Sequence, residues 1–390
     1  MWTFSSPFIV YGDNALEYLA QISGEKAFIV TDKNIVSLGL VKPVTDQLEA
    51  KGMTWEIFDE VEPEPSLITI KKGGVAVNKY QPNWVIGVGG GSCMDAAKAI
   101  ILMLARPDLE PDAFIASDTY NFREKARLMA IPTTSGTGSE ATWAIVLTDT
   151  EFQRKVGLGT TECMPDVAIL DPVMVASMPP QITAETGMDV LTHAIEGYTS
   201  TWGTSFTDAP GLIAVRQALK YLPKAYQNGG DLDARKEMMY AATLAGMSFG
   251  NSMAGLGHST GHALGAVFHQ PHGRTVGLFL PYTMEYLIND SEETTAKYAE
   301  IARFCQIASG SAQECAKALV AGVRALAKEI GQPLSVKDLG IAKTKYDESM
   351  PGLIDRALNE VMTITVTRVP GEEDLEKIFR YAYEGKQIDF

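Results

Sequence analysis

The sequence runs Trp84-Val85-Ile86-Gly87-Val88-Gly89-Gly90-Gly91-Ser92-Cys93-Met94-Asp95: a short apolar run, three consecutive glycines, a hydroxyl, then residues that open a helix. An apolar run of this length, bounded by glycine, suits a strand covered on both faces. Glycines at its end let a ligand approach the backbone closely, and the free amides and positive dipole of the helix start favour a phosphate. The pattern departs from the common dinucleotide fingerprint, because G-x-G-x-x-G begun at Gly87 ends on Ser92. It is not a P-loop either, because no Gly-Lys-Ser/Thr follows. The alternative reading is a tight strand-to-helix turn that holds nothing.

Outward from this stretch the same texture repeats. Residues 27–31, 55–58, 128–131 and 167–170 read as further buried strands, and 34–51, 67–80 and 93–104 as helices. Strand–helix alternation predicts a parallel sheet with helices on its faces. After Pro179-Pro180 the pattern changes: 182–200, 207–225, 232–249, 293–307 and 311–330 carry helical periodicity with little strand signal. The expected organisation is an α/β, Rossmann-like domain over 1–178 and an all-helical domain over 179–390, with a cleft between them.

The 390 residues are ordinary in composition, 46% hydrophobic and 21% charged, which excludes disorder and fibres. With 33 basic against 48 acidic side chains the net charge is −15, which argues against nonspecific binding to nucleic acid or anionic membrane. Four cysteines without a C-x-x-C pair, and an N-terminus lacking a basic start and apolar core, predict a cytoplasmic protein. The apolar run 99–105 is too short to span a membrane.

A second loop, Pro132-Thr133-Thr134-Ser135-Gly136-Thr137-Gly138-Ser139-Glu140, also follows a strand. It gathers hydroxyls and glycines where ligands bind in open α/β sheets. Its alternative reading is a loop whose hydroxyls satisfy their own backbone. Asp32 follows the strand at 27–31. An acid there can hold the ribose hydroxyls of NAD and repel the extra phosphate of NADP, or it can simply cap the next helix.

Of five histidines, His258, His262, His269 and His272 fall within fifteen residues, and the fifth, His193, stands four residues after Asp189. On a helix, Asp189 and His193 share one face, as do His258 and His262. His272 follows Pro271 and is expected to begin another helix. Asp plus several His suits a divalent transition metal, and the absence of cysteine from the cluster argues against a structural zinc site. The alternative is a set of ordinary helix histidines. Gly257-His258-Ser259-Thr260-Gly261 matches the G-x-S-x-G nucleophile elbow, but no strand precedes it and no acid lies between Ser259 and His272, so a serine hydrolase is rejected.

Taken together, these stretches resemble the iron-containing (group III) alcohol dehydrogenases over nearly the whole chain. The resemblance rests on Gly89-Gly90-Gly91-Ser92 with Asp95 and Lys98, on 131–140, on Thr186–Glu196, and on Gly257–Gly273. It implies a dinucleotide-binding domain beside a helical metal-binding domain, the architecture also seen in dehydroquinate synthase. Asp189, His193, His258 and His272 would hold a divalent metal, Fe(II) before Zn(II), and His262 would be a catalytic histidine that is not a ligand. Asp32, Gly89, Gly90, Gly91, Ser92, Asp95, Thr133, Thr134, Thr142 and Lys155 would contact the cofactor, NAD. The implied reaction is hydride transfer between NAD(H) and a small primary alcohol or aldehyde, in a homodimer or larger homo-oligomer. A glycerol-dehydrogenase-like zinc polyol dehydrogenase is the alternative. A dehydroquinate-synthase-like lyase would need Glu where Asp189 stands.

Some positions depart from the family. Glu64 stands where an Asn is common, and Glu360–Arg368 lacks the Asp-Pro and Asn-Pro-Arg of many relatives. Trp143, Phe249 and Met362 are expected to line the substrate pocket, although Trp143 reads equally well as core.

Overall fold

The computed structural model describes residues 3–152 and 154–390. The chain divides into two compact units, with the boundary at Met178–Pro179.

In the first unit, six strands form one sheet: β1 (Phe8–Tyr11), β2 (Lys26–Val30), β3 (Thr54–Phe58), β4 (Trp84–Gly89), β5 (Arg127–Pro132) and, after a hairpin, β8 (Val167–Leu170). The order is β1-β8-β5-β4-β2-β3, and every pairing is parallel. Helices α1 (Lys33–Ser37), α2 (Lys42–Ala50), α3 (Leu67–Tyr80) and α4 (Gly91–Ala105) make the crossovers. The central strands are buried on both faces because their side chains alternate between two cores. Phe28, Val30, Val85 and Leu128 pack with Ala97, Ile100 and Ile101 of α4. Ala27, Ile29, Ile86, Val88 and Ile131 pack on the other side with Leu19, Val44 and Leu48.

Three features of this unit differ from the sequence reading. The edge strand β1, with Phe8 and Tyr11 exposed, was not expected there, because it lacks the buried apolar run that marks the central strands. The helix expected over 34–51 is two helices, because Gly39 adopts a left-handed conformation (φ 73°) and Pro43 sits in the first turn of α2. Such a glycine ends a helix, and proline is tolerated where no intrahelical N–H is needed. The strands β6 (Ala144–Asp149) and β7 (Arg154–Gly159) form an antiparallel hairpin that the sequence reading lacked. Its short strands include glycines and charged residues, so periodicity alone does not expose it.

The strand order fixes where a ligand can sit. From β2 the chain moves to β3 on one side, then returns to place β4 on the other, so the topology reverses between β2 and β4. Ligands of open α/β sheets bind beyond the strand carboxyl ends at such a switch point. Asp32, just after β2, and the turn Gly89–Ser92, at the end of β4, flank it.

The second unit holds α5 (Pro180–Thr199), α6 (Ser205–Gln227), α7 (Leu232–Ser252), α8 (Leu256–Phe268), α9 (His272–Ile288), α10 (Glu292–Phe304), α11 (Ala312–Glu329), α12 (Lys343–Asn359) and α13 (Glu372–Glu384). It contains no strand. Glycines set the spacing around α9. A Cβ on Gly261 of α8 would lie 2.7 Å from the Val276 Cα, and one on Gly277 would lie 2.7 Å from the Met188 Cβ on α5. A Cβ on Gly273 would strike the Glu185 carbonyl. Such contacts are closer than packed side chains allow, so α5, α8 and α9 approach backbone to backbone only because these residues are glycine. No helix among the described residues is long and apolar enough to cross a membrane.

Candidate functional site

That close approach brings four side chains together. Asp189 and His193 lie one turn apart on α5, His258 is in the first turn of α8, and His272 is the first residue of α9. One donor atom from each lies within 4.8 Å of all the others. The Asp189 Oδ1 is 3.5 Å from the His193 Nδ1, 3.7 Å from the His258 Nε2 and 3.2 Å from the His272 Nε2. Four donors about 2.1 Å from a common tetrahedral centre would stand roughly 3.4 Å apart, so these spacings suit a first-row divalent ion. The Asp189 Oδ1, His193 Nδ1 and His258 Nε2 are all buried, and none makes a hydrogen bond. Buried polar atoms are rarely left so. Three orphans aimed at one another are what a metal-binding donor set requires.

The electrostatics agree. Burial alone would raise the Asp189 pKa, but the imidazoles gathered around it, His193 and His272 first, hold it well below the carboxylate range. Burial pushes His193 well below its ordinary value, leaving a neutral ring with a free lone pair. For His258 burial again lowers the pKa, but Glu196 and Asp189 overcome it and raise it to about 9. Without a metal, the cluster therefore keeps a proton as the positive charge beside Asp189.

Glu196 was not singled out from sequence. One turn beyond His193 on α5, it accepts a hydrogen bond from the His258 Nδ1 at 2.5 Å. It also accepts from the amides of Gly255 (2.8 Å) and Gly257 (2.5 Å). A carboxylate can only accept, so the neutral His258 carries its proton on Nδ1 and turns Nε2 into the cluster. The ring of Phe249, on α7, stacks on His193 with centroids 3.9 Å apart. His262 lies beside the cluster, 5.1 Å from His272 and 5.7 Å from His258 between ring centroids, and its Nδ1 is 3.2 Å from the Glu360 Oε1. His269 is exposed and caps the C-terminus of α8 in a left-handed conformation, apart from the cluster. The G-x-S-x-G match falls inside α8, so Ser259 is a buried helix residue and not an elbow.

In the first unit, Gly89 has φ 154°, and a Cβ there would lie 2.5 Å from the Cys93 sulfur. A Cβ on Gly91 would meet the Thr137 side chain at 2.7 Å. The backbone at this turn is therefore bare by necessity. The hydroxyls of Thr31, Thr133 and Ser135, at the ends of β2 and β5, are buried without a hydrogen-bond partner. Thr31 stands at the switch point, and Thr133 and Ser135 follow the strand next to it beyond β4. The Asp32 Oδ1 accepts from the amides of Asn34 (2.7 Å) and Ile35 (3.0 Å), so the cap reading is realised, and Cys93 donates to its other oxygen. Ser92 accepts from the Glu64 amide, and Thr134 lies beside Gly90. The remaining expected contacts have partners within the protein. Asp95 accepts from Ser139 and the Val146 amide, and Thr142 accepts from the buried Lys98. Lys155 pairs with Glu64 at 2.6 Å. Trp143 is half-buried and packs against the core around α4, while Met362 is half-buried in the turn after Glu360.

A doubly wound sheet with a bare glycine turn and a helical unit with an Asp-His-His-His cluster define a protein equipped for a nucleotide and a divalent metal. The chain belongs to the iron-containing alcohol dehydrogenase family: residues 6–172 match the description of an iron-containing alcohol dehydrogenase, and residues 183–383 that of the family's C-terminal part. It is 36% identical to the NADPH-dependent butanol dehydrogenase of Clostridium saccharobutylicum over 98% of both chains. It is 35% identical to aldehyde-alcohol dehydrogenase 2 of Entamoeba histolytica, spanning about half that protein (46%) with 98% of its own length. Among solved structures, a 1,3-propanediol oxidoreductase aligns with a TM-score of 0.91 at 32% identity, over 98% of this chain and all of that one. Membership implies a divalent metal and a nicotinamide cofactor, and it does not favour the zinc polyol alternative.

Proposed function

We propose that this protein interconverts a small primary alcohol and its aldehyde, with Asp189, His193, His258 and His272 holding Fe(II), or Zn(II) in its place, and NAD(H) as the hydride carrier. The observation that carries this reading is the donor cluster, with three buried donor atoms that no protein group satisfies. A bound divalent ion supplies a Lewis acid that lowers an alcohol pKa from about 16, like that of water, toward neutrality, and the nicotinamide accepts the hydride. Glu196 fixes the tautomer of His258, and Phe249 holds the plane of His193. His262 accepts the alcohol proton. Burial lowers its pKa and His272 and His258 add to that, against the opposing pull of Glu360, so the ring is a neutral base at pH 7. Phe249 and Met362 line the substrate side, and Trp143 supports it from the core.

The glycine turn Gly89-Gly90-Gly91-Ser92 presents bare amides to the pyrophosphate, with Thr133 and Thr134 alongside. Asp95, Thr142 and Lys155 brace the loops around it. Asp32 favours NAD, because its carboxylate repels a ribose phosphate. In Asp32→Ala the ratio of kcat/KM for NADPH to that for NADH is expected to rise about tenfold or more. An unchanged ratio in steady-state assays with short aldehydes removes Asp32 from cofactor selection. Four free thiols, three of them buried, suit a reducing cytoplasm, and a homodimer or larger homo-oligomer follows the family. The whole reading is tested by NADH oxidation against a panel of short aldehydes: turnover that a chelator abolishes supports it, and no turnover after Fe(II) or Zn(II) is restored overturns it.

A further inference from the structure

We propose that Glu360 is the positioning residue of His262. The inference rests on the reading of His262 as the proton acceptor. Glu360 closes α12 and opens a short turn, Val361–Ile364, which the sequence reading flagged as a departure from the family and for Met362, without a role for Glu360. Two buried threonines pin this turn. The Thr363 hydroxyl donates to the Ala357 carbonyl at 2.5 Å, tying the turn to α12. The Thr365 hydroxyl donates to the Ala254 carbonyl at 2.6 Å, tying it to the loop just before α8. Glu360 is thus delivered by a fixed backbone to the helix that carries His258 and His262. Its Oε1 lies 3.2 Å from the His262 Nδ1.

The consequence follows from donor and acceptor chemistry. A carboxylate accepts only, so the neutral imidazole beside it carries its proton on Nδ1 and leaves the Nε2 lone pair free. That nitrogen has no hydrogen-bond partner among the described residues. Glu360 also blocks ring rotation, because turning the ring would forfeit a charge-assisted hydrogen bond. Glu196 and Glu360 thereby do the same work on two histidines of one helix: each carboxylate accepts a hydrogen bond from Nδ1–H, keeping the proton there and leaving Nε2 free. The roles differ, since the His258 Nε2 faces Asp189 in the cluster whereas His262 contributes no donor to it.

The test uses the whole 390-residue chain with ¹⁵N-labelled histidine, of which there are five to resolve. In metal-free protein at pH 7.5, His262, assigned by its loss in His262→Gln, is expected as a pure Nδ1–H tautomer. In Glu360→Ala it becomes a mixture of tautomers, and in Glu360→Asp it returns most of the way. With metal restored, Glu360→Ala is expected to lower kcat about tenfold or more while metal content and the KM for NADH stay at wild-type values. A His262 signal unchanged in Glu360→Ala overturns the proposal, and so does a loss of kcat that tracks lost metal. Separately, full activity in His262→Ala would overturn the proton-acceptor reading while leaving the tautomer result to judge Glu360.

Discussion

Glu196 satisfies two backbone amides and one imidazole with a single carboxylate, so its charge is committed on three sides. Replacing it with Gln leaves shape but removes the charge that raises the His258 pKa. Partners of this kind are worth about 10–100-fold in metal affinity, and Glu196→Gln is expected to weaken the metal by that factor in a direct titration. An unchanged affinity would show that α8 packing alone orients His258. The same pair sets a pH dependence. In metal-free protein His258 is protonated below about 9, so an entering metal must displace that proton. Apparent affinity is expected to rise by up to tenfold per unit between pH 7 and 9 and to level off above. For the metal-free fold the sign is opposite. The raised pKa contributes stability that is fully present below the ordinary histidine value and lost as pH rises through 9. Thermal unfolding of the metal-free protein across that range checks it. A histidine signal such as 258–272 was legible because four rare side chains crowd into fifteen residues. Glu196 and Glu360 were not, because glutamate is abundant and nothing in linear spacing shows which acid faces which ring.

The helices α5, α8 and α9 carry the donor set, and glycine spacing decides how near they come. Gly261→Ala would place a Cβ against the Val276 backbone, which cannot rotate away. It is expected to cost about 1–3 kcal/mol by overpacking. It should also weaken metal binding, because pushing α8 from α9 separates His258 from His272. Thermal unfolding together with a metal titration tests both, and loss of stability with full metal affinity would contradict the link between packing and site. In the first unit the central strands were legible because each is a short, continuous apolar run, and α3 because it fills the span between two of them. The split of 34–51 turned on Gly39 and Pro43, and the hairpin β6–β7 on backbone pairing rather than pattern. Strand order was not legible at all. Whether β4 lies beside β2 depends on three-dimensional crossover geometry, and that order is what places Asp32 and the glycine turn on either side of one switch point.

At the scale of the molecule, each unit supplies what the other lacks. The α/β unit offers a bare turn and unpartnered hydroxyls but no metal-ready cluster among its described residues, and the helical unit holds the donor set. Family membership joins these into one reaction class, while substrate and metal identity rest on the proposed reading. The measurement that bears most directly on it is the metal content of protein purified without air, compared between wild type and Asp189→Asn. About one Fe(II) or Zn(II) per chain in wild type, and close to none in the variant with its fold intact by circular dichroism, is the predicted result. Metal-free wild type that takes up neither ion, or a variant that retains a full equivalent, would contradict it.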